Sequence, residues 1–139
     1  MRITLESDYA LRIVTTLAES DSLLDAKTIS EKTLVTQKFA LKILRKLVGG
    51  GLVSSFKGVK GGYKLKSVPE DITLKQVIEL IDGPIVIARC LEGGEACTLN
   101  PDKSSCVFHH IFDSISVDVA RKMNSITIRD ILNREYSLT

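Results

Sequence analysis

Thr36-Gln-Lys-Phe-Ala-Leu-Lys-Ile-Leu-Arg-Lys-Leu-Val-Gly-Gly-Gly51-Leu-Val-Ser-Ser-Phe56-Lys-Gly-Val-Lys-Gly-Gly62-Tyr-Lys-Leu-Lys66 reads as one helix followed by one hairpin. Phe39, Ala40, Ile43, Leu44 and Leu47 recur at the helical period and form the predicted buried stripe, while Lys38, Lys42, Arg45 and Lys46 fall on the other side. Thr36 is placed to cap this helix, since a threonine hydroxyl satisfies the first unpaired N–H groups. Three glycines, Gly49 to Gly51, end it. Leu52 to Phe56 then reads as a strand, Lys57 to Gly62 as a glycine-rich turn and Tyr63 to Lys66 as the returning strand. Gly58, Gly61 and Gly62 allow a sharp turn and a close approach of backbone to a ligand.

Upstream, Ala10, Ile13, Val14, Leu17 and Ala18 mark a first helix with Ser7 as the expected N-cap and Ser20-Asp21-Ser22 as its stop. A second, shorter helix is expected after Asp25 as N-cap, through Ile29 to about Thr33, and only Leu34 and Val35 separate it from the third. Helix, helix, helix, hairpin is the order of a winged helix–turn–helix. In that arrangement the second helix of the motif enters the major groove with its first residues at base edges, and a basic hairpin tip tracks phosphates or the minor groove. The candidate DNA-binding residues are therefore Thr36, Gln37, Lys38 and Lys42 on the helix and Lys57 and Lys60 on the wing. A nucleotide-binding loop is the rival for the glycines, but their spacing matches neither the P-loop nor the dinucleotide fingerprint.

Charge supports the same surface. Residues 32–66 hold nine basic groups and no acid, leaving 10 of the 19 basic groups against all 17 acidic groups elsewhere. The formal net charge of +2 thus conceals a concentrated cationic segment, the footprint of a polyanion-binding face. A merely solvated basic face is the plainer explanation of such a run.

Downstream, Thr73 opens a helix with Gln76 at the capping-box position, and Leu74, Val77, Ile78 and Ile81 supply a stripe that packs on the winged domain before Asp82-Gly83-Pro84. Cys90, Cys97 and Cys106 follow, with His109 and His110, in the spacing Cys-x6-Cys-x8-Cys-x2-His. Thiolates suit Fe–S clusters or zinc. Cys106 and His109 are i and i+3, so on a helix their side chains share a face and one ligand site; unrelated thiols beside a surface histidine is the bland alternative. Phe108, Ile111, Phe112, Ile115 and Val119 then mark a helix over about Ser105 to Asn124, in which 108, 112, 115 and 119 form a coiled-coil-like seam. A second subunit is expected to cover it, and packing on the first helix is the alternative. Thr127 caps a last short helix carrying Ile128, Ile131 and Leu132, with a frayed tail from Asn133.

At 139 residues the chain fits one modest core, divided here into residues 1–84, the winged domain, and residues 85–139, the cysteine loop, long helix and terminal helix. No apolar run is long enough for a membrane span or signal peptide, so a cytoplasmic protein is expected. An odd number of cysteines there points away from disulfides and towards metal, cluster or redox chemistry. The fold class is mainly α with a small β-wing.

Met1-Arg-Ile-Thr4 with Ala10-Leu-Arg12, the wing Leu52 to Tyr63, Asp71-Ile-Thr-Leu74, the three-cysteine loop and Ile126-Thr-Ile-Arg-Asp-Ile-Leu132 resemble the IscR/NsrR/RirA/CymR family of bacterial transcriptional regulators, essentially end to end. The resemblance implies a homodimer with winged-helix DNA-binding domains, a long dimerisation helix and, as in many members, a [2Fe-2S] or [4Fe-4S] cluster before that helix. The implied ligands are Cys90, Cys97 and Cys106. For the fourth, the resemblance offers His109, by analogy with [2Fe-2S] members, or Asp8, by analogy with members whose aspartate reaches a [4Fe-4S] cluster in the opposite subunit. We expect His109, and [2Fe-2S] over [4Fe-4S], with His110 facing about 100° away on the helix. A regulator with zinc or no cofactor, answering to a metabolite or partner protein, is the alternative. An enzyme is not expected, because no nucleophile–base–acid order or paired-carboxylate spacing accompanies the histidines.

Overall fold

The computed structural model describes residues 1–93, 97–99 and 102–134, with elements α1 (Leu5–Ala18), α2 (Ala26–Thr33), α3 (Gln37–Gly49), β1 (Val53–Phe56), β2 (Gly62–Leu65), α4 (Leu74–Asp82), α5 (Val107–Asn124) and α6 (Ile128–Asn133). The winged helix–turn–helix order is the expected one. Asp25 caps α2, its carboxylate accepting from the Thr28 N–H at 2.8 Å, and Thr36 caps α3 by accepting from the Phe39 N–H. Thr73 with Gln76, and Thr127 with Asp130, form reciprocal capping boxes at α4 and α6.

Two local expectations need correction. α1 begins earlier than Ser7: Thr4 is its N-cap, accepting from the Ser7 N–H at 3.2 Å, and Ser7 is fully buried. Either side chain is a good cap by type; Thr4 is fixed in that role because its N–H and hydroxyl also donate to Asp82 at the end of α4. Phe39 is not in the buried stripe of α3, being 47% exposed. It lies about 100° around the helix from Ala40, where its ring meets Tyr9 of α1 edge-on at 6.2 Å between centroids.

The core is built around α1, whose Ala10, Ile13 and Val14 have no exposed surface, and is completed by Ile29 of α2, Ala40, Ile43, Leu44 and Leu47 of α3, Val53 of β1 and Val77 of α4. Fully burying such aliphatic side chains is worth about 1.5–3 kcal/mol each. β1 and β2 pair antiparallel from Val53 with Leu65 to Phe56 with Gly62. Leu24 adds a bridge to Tyr63 with bonds of 3.1 and 2.8 Å. Gly62 sits where an added Cβ would lie 2.8 Å from the Leu24 carbonyl oxygen, so this approach requires glycine.

The C-terminal segment returns to the same core. Leu74 N–H donates to the Ile126 carbonyl and Ile128 N–H to the Ile72 carbonyl, both at 2.8 Å, and Ile128 is completely buried. α5 starts at Val107, after a 3₁₀ turn at Lys103–Ser105, and lies against α4. Of its residues only Ser116 is buried, its hydroxyl accepting from the Ile87 N–H at 3.0 Å. The tail expected to fray beyond Asn133 lies, from residue 135, outside the described residues.

Asp25→Ala removes the only side-chain cap of an eight-residue helix that depends on it for its start. Urea unfolding is expected to show a loss of about 1 kcal/mol, with an unchanged m-value.

Candidate nucleic-acid interface and metal centre

α2 and α3 are joined by the shortest of turns. Leu34 ends α2 in the left-handed conformation, φ 57° and ψ 34°, a state that costs a non-glycine residue roughly 1–2 kcal/mol. The turn is held from outside: Ser30 donates to the Val35 carbonyl at 2.5 Å, and the Arg12 guanidinium donates to the Thr33 carbonyl at 3.3 Å. Val35 is buried while Leu34 is 85% exposed. The turn thereby presents Thr36, Gln37 and Lys38, all exposed, at the open end of α3.

The basic wing stands beside it. Lys57 and Lys60 are exposed on the β1–β2 loop, with Gly58 at φ 102° shaping the turn and Val59 fully exposed at its tip. Lys64 lies over the Phe56 ring at 5.2 Å. The predicted DNA-contacting side chains are thus brought to two adjoining exposed elements.

Lys42 is not a bare cation. Its Nζ is 2.8 Å from Oε1 of Glu6, while Lys46 Nζ is 2.6 Å from Oε2 of the same carboxylate. Phe39, Lys42 and Lys46 form an i, i+3, i+7 stripe on α3, and Glu6 and Tyr9 form the facing i, i+3 pair on α1. Hydrogen bonds from Lys42 and then Lys46 hold the Glu6 carboxyl below the ordinary carboxylate range. Two residues on, Asp8 pairs with Arg12 at 2.7 Å, and Arg12 lies over the Tyr9 ring at 5.1 Å.

The predicted metal ligands are distributed around the α4–α5 connection. Cys90 lies in a 3₁₀ turn, Arg89–Leu91, that packs against α5. Cys97 falls in the short described stretch 97–99 and is partly buried. Cys106 is the N-cap residue of α5, without a side-chain capping bond, and His109 is in its first turn. Nδ1 of His109 is shielded from solvent and has no hydrogen-bond partner among the described residues. His110 is instead engaged, its Nε2 lying 2.7 Å from the Ser104 carbonyl oxygen. Asp8, the alternative ligand, is committed to Arg12 and borders a surface depression with Arg2 and Thr4. Among the described residues no three His, Cys, Asp or Glu side chains gather closely enough to hold a metal ion.

The roles of Glu6 and Arg12 as ties, and the left-handed backbone of Leu34, are not legible in the sequence. Glu6 carries the ordinary signal of an acid in a first helical turn, and its lysine partners lie 36 and 40 positions away, beyond any local pattern.

A helix–turn–helix whose second helix opens on exposed polar and cationic residues, beside a basic hairpin, defines a winged-helix DNA-binding protein. The chain belongs to the Rrf2 family: residues 3–134 match the family profile, described as an iron-dependent transcriptional regulator. It is similar to the HTH-type transcriptional regulator NsrR of Oceanobacillus iheyensis, 26% identical over 99% of this chain and 94% of that protein. It is likewise similar to protein rrf2 of Nitratidesulfovibrio vulgaris, 27% identical over 99% of this chain and 91% of that one. Among solved structures, CymR, the global cysteine regulator of B. subtilis, superposes with a TM-score of 0.73 at 27% identity, covering 96% of this chain and 98% of that one. T. potens IscR shares the fold, with a TM-score of 0.75 at 20% identity over 97% of this chain and 88% of that one. The family is one of DNA-binding transcriptional regulators, not enzymes. No helix among the described residues is long and apolar enough to cross a membrane.

Proposed function

We propose that this regulator is a homodimer, acting in the cytoplasm, whose operator affinity is set by an iron–sulfur cluster held by Cys90, Cys97, Cys106 and His109. The observation that carries the reading is the His109 Nδ1 atom, withdrawn from water and without a partner among the described residues, three residues after Cys106. An unsatisfied buried nitrogen costs about 1–3 kcal/mol, and coordination to a metal removes that cost. Three soft thiols and an imidazole are a donor set for an Fe–S cluster, in keeping with the family's description as iron-dependent. The packing of the Cys90 turn on α5 supports a common site. Because the Cys106-x2-His109 spacing resembles that of [2Fe-2S] family members, we favour [2Fe-2S] over [4Fe-4S]. A bound cluster supplies a charge and an oxidation state that respond to redox conditions, nitric oxide or iron supply. The protein's part is to fix the α4–α5 connection around it, and thereby the start of α5.

Dimerisation is supported by α5, where Phe108, Ile111 and Ile115 are 64%, 48% and 43% exposed along one stripe. An exposed row of that kind is stabilised when a second copy covers it. In the DNA reading, Thr36, Gln37 and Lys38 address base edges, Lys42 lies a turn further along α3, and Lys57 and Lys60 address phosphates. A second reading, zinc or no cofactor with a metabolite or partner protein as signal, draws on the spread of the donors, no three of which gather among the described residues.

Three measurements test these assignments. Lys57→Ala is expected to weaken binding to operator and random DNA alike and to flatten the salt dependence by about one unit. Gln37→Ala or Lys38→Ala instead changes the preferred sequence, by about 1–3 kcal/mol of discrimination; equal effects of both classes on both DNAs would overturn the division.

Ile115→Asp places a charge in the α5 stripe and is expected to yield monomers in sedimentation velocity. An unchanged dimer moves the interface elsewhere.

His109→Ala and Asp8→Ala, compared after anaerobic reconstitution, separate the fourth ligands. Iron content and the visible spectrum are expected to change with loss of His109 and to survive loss of Asp8. The reverse pattern assigns the site to the carboxylate, and a colourless wild-type protein with stoichiometric zinc establishes the second reading.

A further inference from the structure

The cationic segment of residues 32–66 contains no acid of its own, yet the recognition helix does not face solvent with its full charge. Glu6 reaches across from α1 and takes one lysine on each carboxylate oxygen, Lys42 at 2.8 Å and Lys46 at 2.6 Å. The Lys42 side chain is 58% exposed and that of Glu6 21%, so the carboxylate sits beneath the cation it holds. Lys38 and Arg45, on the outer face of the same helix, have no carboxylate partner among the described residues. Half of the four cations of α3 are therefore already paired with an anion supplied by the protein.

We propose that Glu6 is a built-in substitute for DNA phosphate, which holds Lys42 and Lys46 in the free protein and must be exchanged at Lys42 for a backbone phosphate on binding. This rests on the reading of α3 as the recognition helix. The exchange has a definite signature. A free lysine that meets a phosphate releases condensed counterions from the DNA and contributes nearly one unit to the slope of log K against log salt. A lysine drawn from Glu6 leaves a bare carboxylate near the DNA that takes up a cation of its own, so the net counterion release, and with it the slope, is reduced by up to about one unit. Sequence-independent affinity is held down as a result, while the base contacts of Thr36, Gln37 and Lys38 are untouched. Glu6 thus lowers affinity for every sequence alike without touching a base.

Glu6→Gln keeps the size and hydrogen-bonding capacity of the side chain and removes its charge. Its affinity for random duplex DNA and for operator is expected to rise by the same factor, about three- to tenfold at low salt, with a salt slope steeper by about one unit for both. Thermal unfolding, followed in parallel, is expected to move little, since the pair is at the surface. In the Lys42→Gln/Lys46→Gln background the same Glu6→Gln change is expected to leave the slope unaltered. Unchanged or weaker binding by Glu6→Gln at an unchanged slope overturns the proposal and leaves Glu6 a structural tie between α1 and α3. Such a failure is distinct from failure of the DNA-binding reading, in which Lys42→Gln/Lys46→Gln and Lys38→Ala would themselves leave binding to both DNAs unaltered.

Discussion

The rest of the structure depends on the enclosure of α1. Ala10, Ile13 and Val14 are completely buried and Leu17 nearly so, and no single neighbour covers them. α2 and α3 close one side, α4 and α6 another, and β2 the remaining edge. Since each buried aliphatic side chain is worth about 1.5–3 kcal/mol, opening this wrap at any point costs a large part of the stability of a domain this size. The recognition helix and the C-terminal helix are therefore set relative to one another through α1. The connection bearing the cysteines leaves from α4 and rejoins at α5, and α5 is itself anchored by the bonds between residues 72–74 and 126–128.

α1 does more than fill the core. Its first turn meets α3 through Glu6 and Tyr9, its second reaches the helix–turn–helix corner through Arg12, and its cap is tied to α4 through Thr4 and Asp82. The surface proposed to meet DNA is in this way assembled from two segments of opposite charge character. In that proposal the basic one supplies the contacts, and Glu6 at the start of α1 holds two of its lysines.

What was legible in the sequence was what local chemistry determines. Asp25, Thr36, Thr73 with Gln76, and Thr127 are legible as caps because a cap acts within three residues of itself, and the 3.6-residue period locates Ile43, Leu44 and Leu47. Phe39 sits on the flank of the α3 stripe, which periodicity does not distinguish from its centre, and there its ring packs on Tyr9 and stays half in water. Thr4 and Ser7 are equivalent as caps until Asp82, 78 positions away from Thr4, engages the first of them. Leu34 gave no sign of a positive φ, which is enforced by the burial of Val35 and the bonds of Ser30 and Arg12. The candidate metal ligands were legible as a set of residue types, but bringing Cys90 to Cys106 depends on the fold of the connection between them, part of which lies outside the described residues.

Magnitudes decide how a signal at the cysteine segment can reach DNA. A continuous series of contacts runs from the end of α4 through Asp82 and Thr4 to α1, and from Glu6 to Lys42 and Lys46 on α3. Spatial continuity is not coupling. A tenfold change in operator affinity requires about 1.4 kcal/mol of difference between two states, and typical allosteric couplings are 1–3 kcal/mol. An exposed ion pair contributes about 0.2–1 kcal/mol in total, and a signal that merely perturbs it captures a fraction of that. The polar series alone is too weak to carry regulation. The exposed row of Phe108, Ile111 and Ile115 on α5 is of a different scale, since covering the exposed half of even two such side chains is worth about 1.5–3 kcal/mol in total. Because Cys106 and His109 stand at the start of that helix, a change in how the cysteine segment is held acts directly on the element with enough energy to transmit it. Within the proposed dimer, the angle between two copies of α5, rather than a shift inside one subunit, is then the quantity that a signal has to alter.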